Sequence, residues 1–406
     1  MAALGIAEHR IRLLQGGAEY FAALTAAIEG SYREVHLETY IFHAEGAVVA
    51  VAEALVRAAQ RGVDVRITMD GAGTPPLPAH WVAQFAAAGV QWHRFLPLQG
   101  LGVVVPGRWR RLHRKLCVVD GRLLFCGGIN LLDDFLDPNH GPQAVARLDY
   151  AVCVSGPLVA VAQRMMVRFW SRLHASYQLE DLQFRAAGST LLGQVGGRMP
   201  THIDVSPWGD DGVLDGVQAR LVLRDNVRNR ARIEQAYRKA IALARSEILI
   251  ASAYFLPGRR LRTALVQAAR RGVRVQLVLQ GRYEYFLQYH AARAVYAELL
   301  AAGIEIWEYH AGFLHAKVAV IDAHWSTVGS SNLDPLSLLL AREANVVVED
   351  ARFAQVLRQR LFDSVAQRMH QVRAQDFSRR PWRGRLLDGL AYALVRISLA
   401  LLGRRY

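Results

Sequence analysis

The sequence predicts an α/β protein of two duplicated lobes, each a mixed β-sheet flanked by helices, related by a pseudo-two-fold axis. Two observations carry this prediction. The segment EALVRAAQRGVDVRI at 53–67 returns as TALVQAARRGVRVQL at 263–277, with nine of fifteen positions identical. The segment HRKLCVVD at 113–120 returns as HAKVAVID at 315–322. Internal similarity repeated in the same chain order indicates a duplicated structural unit.

Each half contains alternating strands and helices. Short runs rich in β-branched residues predict strands, and apolar residues spaced by about 3.6 predict helices. The predicted strands are 35–42, 63–69 and 90–95, then 248–255, 273–279 and 304–309, and the predicted helices are 47–61, 80–88, 258–271 and 291–302. Strands that alternate with helices imply a largely buried mixed sheet covered on both faces.

Composition divides the chain into four parts. Residues 191–212 are rich in Gly, Pro and Asp and lack periodicity, which is typical of a connector. We therefore predict an N-terminal lobe (1–190), a linker (191–216) and a C-terminal lobe (217–375). The remaining residues, 376–406, are predicted to form an amphipathic tail that associates with membranes.

The overall composition suits a globular protein that binds a polyanion. Of 406 residues, 52% are hydrophobic and 21% are charged, which argues against disorder. The 49 Lys and Arg residues outnumber 35 acids and give a formal charge of +14. This charge predicts attraction to nucleic acid, anionic lipid or a phosphorylated substrate, and does not choose among them.

Cysteine usage and hydropathy set the expected compartment. Cys117, Cys126 and Cys153 fall in apolar strand-like runs and form no CxxC pair, so we expect buried, reduced thiols in a protein facing the cytosol. The N-terminus lacks a basic start followed by a long apolar core, so no signal peptide is expected. No apolar run reaches about 18 residues, so no ordinary membrane span is predicted.

The repeated motifs carry the candidate chemistry. They place His, Lys and Asp at identical offsets: His113, Lys115 and Asp120 in the first copy and His315, Lys317 and Asp322 in the second. Seven residues after each Asp begins a small-residue turn that ends in Asn, at 127–130 and 329–332. Alternate residues of a strand share a face, so each His and its Lys point the same way and the Asp the opposite way.

Duplicated lobes pack about a pseudo-two-fold axis, which brings equivalent segments together. Two His, two Lys and two Asn would then form a cationic pocket suited to a phosphoryl group. We predict that its oxygens are held by Lys115, Lys317, Asn130, Ser330 and Asn332. No metal or other cofactor is expected, because the lysines supply the positive charge.

Two histidines suit a two-step displacement near neutral pH. One imidazole attacks phosphorus to give a phosphohistidine, while the second protonates the departing alkoxide. The second then deprotonates an incoming alcohol or water, which attacks the phosphohistidine. The two histidine titrations are expected to be coupled.

An imidazole needs a partner on its other nitrogen to fix its tautomer and direction. The motif aspartates, on the opposite strand face, are predicted to brace local backbone or a neighbouring strand. Asp149 and Glu343 each open the next apolar strand, and we interpret them as the orienting acids. The alternative for these acids is ordinary ion pairing with Arg147 or Arg342.

Both motifs match the HxKxxxxD signature of the phospholipase D superfamily and continue as HxKxxxxDxxxxxxGxxN. The first copy departs from the second in having Gly128 where the second has Ser330. Together with HLETYIF at 36–42 and RDN at 224–226, the sequence resembles bacterial cardiolipin synthases from about residue 10 to residue 372.

The resemblance implies the phospholipase D fold, the six motif residues as the catalytic set, and phosphatidyl transfer to the hydroxyl of phosphatidylglycerol. Cardiolipin forms, and glycerol is released when the donor is also phosphatidylglycerol; phosphatidylethanolamine is the alternative donor. The resemblance also implies His113 as the nucleophile and His315 as acid and base. The expected location is the cytoplasmic face of a bacterial inner membrane, where the protein is peripheral.

The C-terminal segment offers a means of reaching an anionic membrane surface. Helical spacing gives an apolar face of Leu386, Leu387, Leu390, Leu394, Ile397 and Leu401, flanked by Trp382, Arg383, Arg385, Arg404 and Arg405. Asp388 and Arg396 interrupt the apolar run, which favours a helix in the membrane plane over a span. The alternatives are a helix docked on the protein's own surface and an oligomer contact.

Three rival functions share parts of this pattern. A phospholipase would use the same chemistry with water as the second nucleophile, and a nuclease of the superfamily would exploit the charge of +14. A non-enzymatic lipid-binding scaffold would keep the site without using it. The apolar C-terminus and the lack of a recognisable nucleic-acid-binding module argue against the nuclease, so no nucleic-acid partner is expected.

Overall fold

The computed structural model describes residues 8–97, 109–185, 208, 212–225, 229–283, 285–334, 341–366 and 368–401. The first half contains β1 (Glu8–Gln15), α1 (Gly16–Glu29), β2 (Glu34–Thr39), α2 (Val49–Gln60), β3 (Asp64–Asp70), α3 (Ala79–Ala88), β4 (Gln91–Phe95), β5 (Arg111–Leu112), β6 (Lys115–Val119), β7 (Leu123–Gly127), β8 (Leu136–Asp137), β9 (Gly141–Pro142), β10 (Tyr150–Ser155) and α4 (Pro157–Arg185). A short 3₁₀ turn (Gly46–Val48) precedes α2.

The second half repeats this arrangement. It contains β11 (Val213–Arg224), α5 (Arg232–Leu243), β12 (Glu247–Ser252), α6 (Arg259–Arg270), β13 (Arg274–Gln280), α7 (Phe286–Arg293), α8 (Tyr296–Ala301), β14 (Glu305–Tyr309), β15 (Lys317–Ile321), β16 (Trp325–Gly329), β17 (Ala341–Glu349), α9 (Ala351–Val365), β18 (Met369–Gln371), α10 (Ala374–Ser378) and α11 (Trp382–Leu401). Most of the predicted linker and both Arg404 and Arg405 lie outside the described residues, and β11 begins within the predicted linker range.

Sixteen of the described strands join into one mixed sheet. Its order is β18-β14-β13-β12-β15-β16-β17-β11-β1-β10-β7-β6-β2-β3-β4, and β5 pairs with β17. Apart from β5 and β18, equivalent strands of the two halves follow in the same order on each side of the β11–β1 pair. They are β17, β16, β15, β12, β13 and β14 on one side and β10, β7, β6, β2, β3 and β4 on the other. The predicted α/β class with a helix-flanked mixed sheet is therefore confirmed, and the sheets of the two lobes form one continuous sheet.

The two central strands join the lobes. β1 pairs antiparallel with β11, and each also pairs with the last strand of its own lobe, β10 or β17. The sequence analysis missed both strands, because charged residues at alternate positions of β1 (8, 10 and 12) and Asp215, Gly216 and Arg220 of β11 interrupt the apolar runs. That alternation matches a strand whose apolar residues, such as Ile11 and Leu13, face a core shared by the lobes.

Repeated turns explain why the duplicated segments fold alike. Gly62 and Gly272 follow α2 and α6 with φ of +92° and +90°, a left-handed conformation that favours glycine. The predicted helix 291–302 is instead two short helices, α7 and α8. The Val295 N–H donates to the Ala292 carbonyl in a tight turn that ends the first of them.

Three apolar clusters hold the sheet and its helices together. One lies between the lobes and is covered by α4 and α9, and the other two fill the outer part of each lobe. Cys117, Cys126 and Cys153 are free and buried, as predicted. Among the described residues, no helix combines the length and apolar content needed to cross a membrane.

Candidate active site

A cavity of about 530 Å³ opens where the two lobes meet, and both motif histidines line it. Its wall also includes Asn130 from the first lobe and Asn332 from the second. The volume lies in the usual range of small-molecule sites. The structure thus brings four of the predicted site residues to one cavity, with equivalent residues contributed by each lobe.

Backbone pairing across the lobe boundary positions each histidine. β5 runs parallel to the start of β17, and the His113 N–H donates to the Arg342 carbonyl at 3.0 Å. In the other half, the His315 N–H donates to the Leu148 carbonyl at 2.8 Å, and the Leu148 N–H donates to the Phe313 carbonyl at 2.9 Å. Each histidine is therefore fixed on the backbone of the opposite lobe.

The two predicted orienting acids also cross the boundary. Nδ1 of His113 lies 2.9 and 3.1 Å from the carboxylate oxygens of Glu343, which belongs to the second lobe. Nδ1 of His315 lies 2.6 Å from the carboxylate of Asp149, which belongs to the first. A carboxylate on Nδ1 assigns the proton to that nitrogen and leaves Nε2 of each ring for chemistry.

Burial sets the protonation of the histidine–acid pairs. It lowers the pKa of His113 against the opposing effect of Glu343. Burial and neighbouring cations place the pKa of His315 well below its usual value. Burial also raises the pKa of Asp149 to about 6 despite nearby cations. Burial therefore favours the neutral form of both imidazoles, and a neutral imidazole can act as a nucleophile.

The motif lysines lie behind the histidines. Lys115 and Lys317 are almost fully buried, and each ammonium donates to the carbonyl of the histidine two residues earlier. Burial lowers the pKa of Lys115 to about 7, with Glu343 acting in the opposite direction. Neither lysine is among the residues that line the cavity, where the sequence predicts contact with phosphoryl oxygens.

Ser330 does not line the cavity, contrary to the predicted phosphoryl contact. It is fully buried, and its hydroxyl donates to the Glu343 carboxylate at 2.5 Å. The serine therefore supports the acid that holds His113. The first lobe has no space for such a side chain, because a Cβ on Gly128 would lie 2.3 Å from the Asp149 carboxylate.

The structure also keeps Asp120 and Asp322 out of the cavity, which corrects their place in the predicted catalytic set. They follow the far ends of β6 and β15, and Asp120 lies roughly 16 Å along its strand from Lys115 at about 3.3 Å per residue. Their φ values are +53° and +51°. Each carboxylate accepts N–H groups from three consecutive residues, 32–34 or 245–247, at the start of the neighbouring strand.

Several cavity residues escaped the sequence analysis. Tyr40 packs edge-on against His113 with ring centroids 4.9 Å apart, and burial raises its pKa to about 12. Tyr254 and Tyr285 of the second lobe also line the cavity. The sequence feature that could have identified two of them is a tyrosine one or two residues after an equivalent strand of each half, Tyr40 after β2 and Tyr254 after β12. Across the described ranges, no group of three or more His, Cys, Asp or Glu side chains could hold a metal ion.

The family described as "Cardiolipin synthase, PLD-like domain" matches residues 24–169 and 237–365. Each matched stretch contains one complete His-Lys-Asp motif. The chain belongs to this cardiolipin synthase family. The matched stretches thus lie in both lobes, and they include His113 and His315 just before the strands β6 and β15.

Relatives agree with this placement, and one solved structure shares the fold. Cardiolipin synthase B of Escherichia coli is 36% identical over 405 residues, covering 97% of this chain and 90% of that protein. The cardiolipin synthase of Halalkalibacterium halodurans is 29% identical over 383 residues, covering 93% and 70%. The crystal structure of phosphatidylserine synthase from Haemophilus influenzae shares the fold, with a TM-score of 0.67, 12% identity and coverage of 98% and 97%.

For this cardiolipin synthase family member, we predict that Asp120→Ala lowers the free energy of unfolding by about 2–4 kcal/mol, because three backbone N–H groups lose a charged acceptor. Urea unfolding followed by circular dichroism measures the change. The control is Asp64→Ala, which removes only a partly exposed ion pair with Arg66. An unchanged unfolding midpoint for Asp120→Ala would contradict the bracing role.

Proposed function

We propose that this chain transfers a phosphatidyl group between two phosphatidylglycerol molecules through a phosphohistidine, giving cardiolipin and glycerol. One observation carries the proposal. Two histidines from opposite lobes line the same cavity, and each is held at Nδ1 by an acid of the other lobe. The relatives named cardiolipin synthase support the reaction class.

In the first step, Nε2 of His113 attacks the phosphorus of the donor lipid. The bond from phosphorus to the headgroup oxygen breaks, and the imidazolium of His315 protonates that oxygen as glycerol leaves. The bound phosphodiester is an anion and, with Asp149, favours the protonated form of His315. The resemblance to the phospholipase D superfamily is the reason for assigning the nucleophile to His113 and the acid to His315.

In the second step, neutral His315 removes the proton from a hydroxyl of the second phosphatidylglycerol. The alkoxide oxygen attacks phosphorus, the P–N bond to His113 breaks, and cardiolipin is released with both histidines restored. Water in place of the alcohol would give phosphatidic acid instead. The ratio of transfer to hydrolysis therefore depends on how far the bound lipids exclude water from the cavity.

The charge that develops on the phosphoryl oxygens meets a cationic, hydrogen-bonding environment. Asn130 and Asn332 line the cavity, and their side-chain amides can donate to those oxygens. Lys115 and Lys317 add positive charge from beneath the histidines. Arg147 also lines the wall, where it pairs with Asp137 at 3.1 Å.

We also propose that α11 carries the protein on an anionic membrane surface, as a peripheral protein on the cytoplasmic face of a bacterial inner membrane. The helix packs on α7 through the side that carries Asp388, together with Ala391, Tyr392 and Val395 of an apolar cluster. Asp388 lies 2.7 Å from His290 and 2.9 Å from Arg380. The opposite side exposes a row of large apolar side chains, namely Trp382, Leu386, Leu387, Leu390, Leu394 and Ile397. An apolar row turned away from the protein core suits insertion among lipid headgroups.

The decisive experiment incubates the purified protein with labelled phosphatidylglycerol vesicles and separates the lipid products. We expect cardiolipin and glycerol, unaffected by a metal chelator, and a loss of about a thousandfold or more in His113→Ala and His315→Ala. An alkaline quench should trap labelled phosphohistidine in the wild type. Phosphatidic acid as the sole product, strict metal dependence, or cleavage of single-stranded DNA without vesicle binding would contradict the proposal.

The acid on His113 gives a prediction with a pH signature. Glu343→Gln keeps the size of the side chain but removes a charge that raises the pKa of His113. We expect transfer at least about tenfold slower, because the tautomer is less well fixed. The acidic limb of the pH–rate profile should move to lower pH, since the imidazole then stays neutral to lower pH.

The matched control is Glu349→Gln, an exposed residue at the end of the same strand β17. Its rate and pH profile should match the wild type. An acidic limb that moves to higher pH in Glu343→Gln, or does not move, would rule out the carboxylate as the group that tunes His113.

The membrane role of α11 is tested by Leu390→Gln combined with Leu394→Gln. Both leucines are more than half exposed, so the melting temperature should stay unchanged. Binding to phosphatidylglycerol vesicles in a sedimentation assay should weaken by at least about tenfold, because each buried leucine contributes about 1.5–3 kcal/mol. Unchanged vesicle binding together with a smaller oligomer would assign the row to a contact between copies.

A further inference from the structure

A second cavity, of about 380 Å³, lies where α4 covers the sheet behind the catalytic segments. Six arginines line it, namely Arg114, Arg164, Arg168, Arg172, Arg224 and Arg342, and we call it the arginine cavity. Among its described lining residues, Asp225 supplies the one carboxylate. The transfer reaction proposed above uses none of these side chains.

The floor of the arginine cavity holds guanidinium groups away from water. Arg114 and Arg224 are almost fully buried. Arg114 pairs with the buried Glu38 at 2.7 Å, while its Nε has no hydrogen-bond partner within the described structure. Arg114 and Arg342 lie 5.3 and 4.8 Å from the ring centre of Phe169. Buried guanidinium groups are costly unless acceptors surround them.

The rim adds cations that local acids do not neutralise. Arg164, Arg168 and Arg172 are exposed and spaced by four residues, so they follow one face of α4, where like charges repel. None of the three forms an ion pair with any other residue in the described ranges. The Asp225 carboxylate accepts two hydrogen bonds from Asn229, at 3.0 and 2.7 Å. The cavity therefore has a marked excess of positive charge.

We propose that the arginine cavity binds a phosphoryl anion, either a free phosphate compound or the phosphate of an anionic lipid headgroup. A guanidinium offers a planar fork of donors that matches two phosphoryl oxygens, and several forks around one cavity favour an anion with more than one charge. Its volume admits such a group. This site is separate from the catalytic cavity and does not depend on the function proposed above.

The bound anion would act on the segments that carry the catalytic pair. Arg114 follows His113 in the chain, and Arg342 precedes Glu343. Neighbouring residues of extended segments face opposite sides, so the pair faces the active site while the arginines face the arginine cavity. The hydrogen bond from His113 N–H to the Arg342 carbonyl joins these segments. An anion that orders the two arginines therefore also orders the His113–Glu343 pair, and the coupling is reciprocal.

The test uses Arg164→Gln combined with Arg168→Gln, both on the exposed rim. The matched control is Arg259→Gln with Arg260→Gln. These substitutions remove the same charge from two exposed arginines on α6, away from the arginine cavity. Isothermal titration with sodium pyrophosphate at constant ionic strength should give saturable binding to wild type and control. The rim variant should bind about tenfold or more weakly. Equal affinity in all three proteins would overturn the site.

Hydrogen exchange measures the coupling. Pyrophosphate should slow exchange in peptides that cover 111–114 and 341–344 in the wild type and the control, and not in the rim variant. The same protection in the rim variant would overturn the link to the catalytic pair. Cardiolipin should still be formed by the rim variant, because no rim residue contacts the catalytic cavity, so loss of the anion site and failure of the proposed reaction give different results.

A competition experiment identifies the source of the anion. Short-chain phosphatidylglycerol below its micelle concentration is added to the wild-type complex with pyrophosphate, with phosphatidylcholine of the same chain length as control. Displacement by the anionic lipid alone supports a headgroup as ligand, and failure of both lipids to displace supports a free phosphate compound. Equal displacement by both lipids would overturn recognition of the anion.

Discussion

The site depends on one constraint, which is that each lobe supplies the acid that holds the histidine of the other lobe. His113 bonds through its ring to Glu343 and through its N–H to the backbone before that acid, and His315 does the same with Asp149 and Leu148. Neither lobe alone contains a complete histidine–acid pair. The antiparallel pairing of β1 with β11 makes one continuous sheet, which fixes the distance and angle between the halves.

The two halves reach the same geometry with different residues. Glu343 has a longer side chain than Asp149 and is held by the hydroxyl of Ser330. Asp149 lies against Gly128, where a larger residue would collide with its carboxylate, and it accepts the N–H of Tyr150 at 2.8 Å. The second lobe therefore has the Ser330 hydroxyl beside Glu343, whereas in the first lobe the Asp149 carboxylate occupies the space that a side chain at position 128 would need. The unequal surroundings also give the two imidazoles different electrostatic environments.

Alternation along the extended segments gives the sheet two functional faces. The two histidines line a cavity between the lobes, while Arg114 and Arg342, the neighbours of His113 and Glu343 in the chain, line the arginine cavity beside α4. The burial of polar groups on both faces is stabilised by charge pairing and by the large apolar clusters around them. α11 adds a third surface, because the side with the buried Asp388 packs on α7 and the opposite side leaves its leucines in solvent.

The sequence by itself determined the duplication, the repeated motifs, the outer strands and helices of each lobe, and Asp149 and Glu343 as candidate partners, because these features are local patterns. Only the tertiary structure decided which acid holds which histidine, since strand order across the lobes leaves no trace in local periodicity. It also decided that the hydroxyl of Ser330 contacts an acid and that Asp120 caps a strand end, because hydrogen-bond partners depend on three-dimensional neighbours. The central strands β1 and β11 became recognisable only through their pairing with each other, since polar residues interrupt their apolar runs and leave a weak local signal.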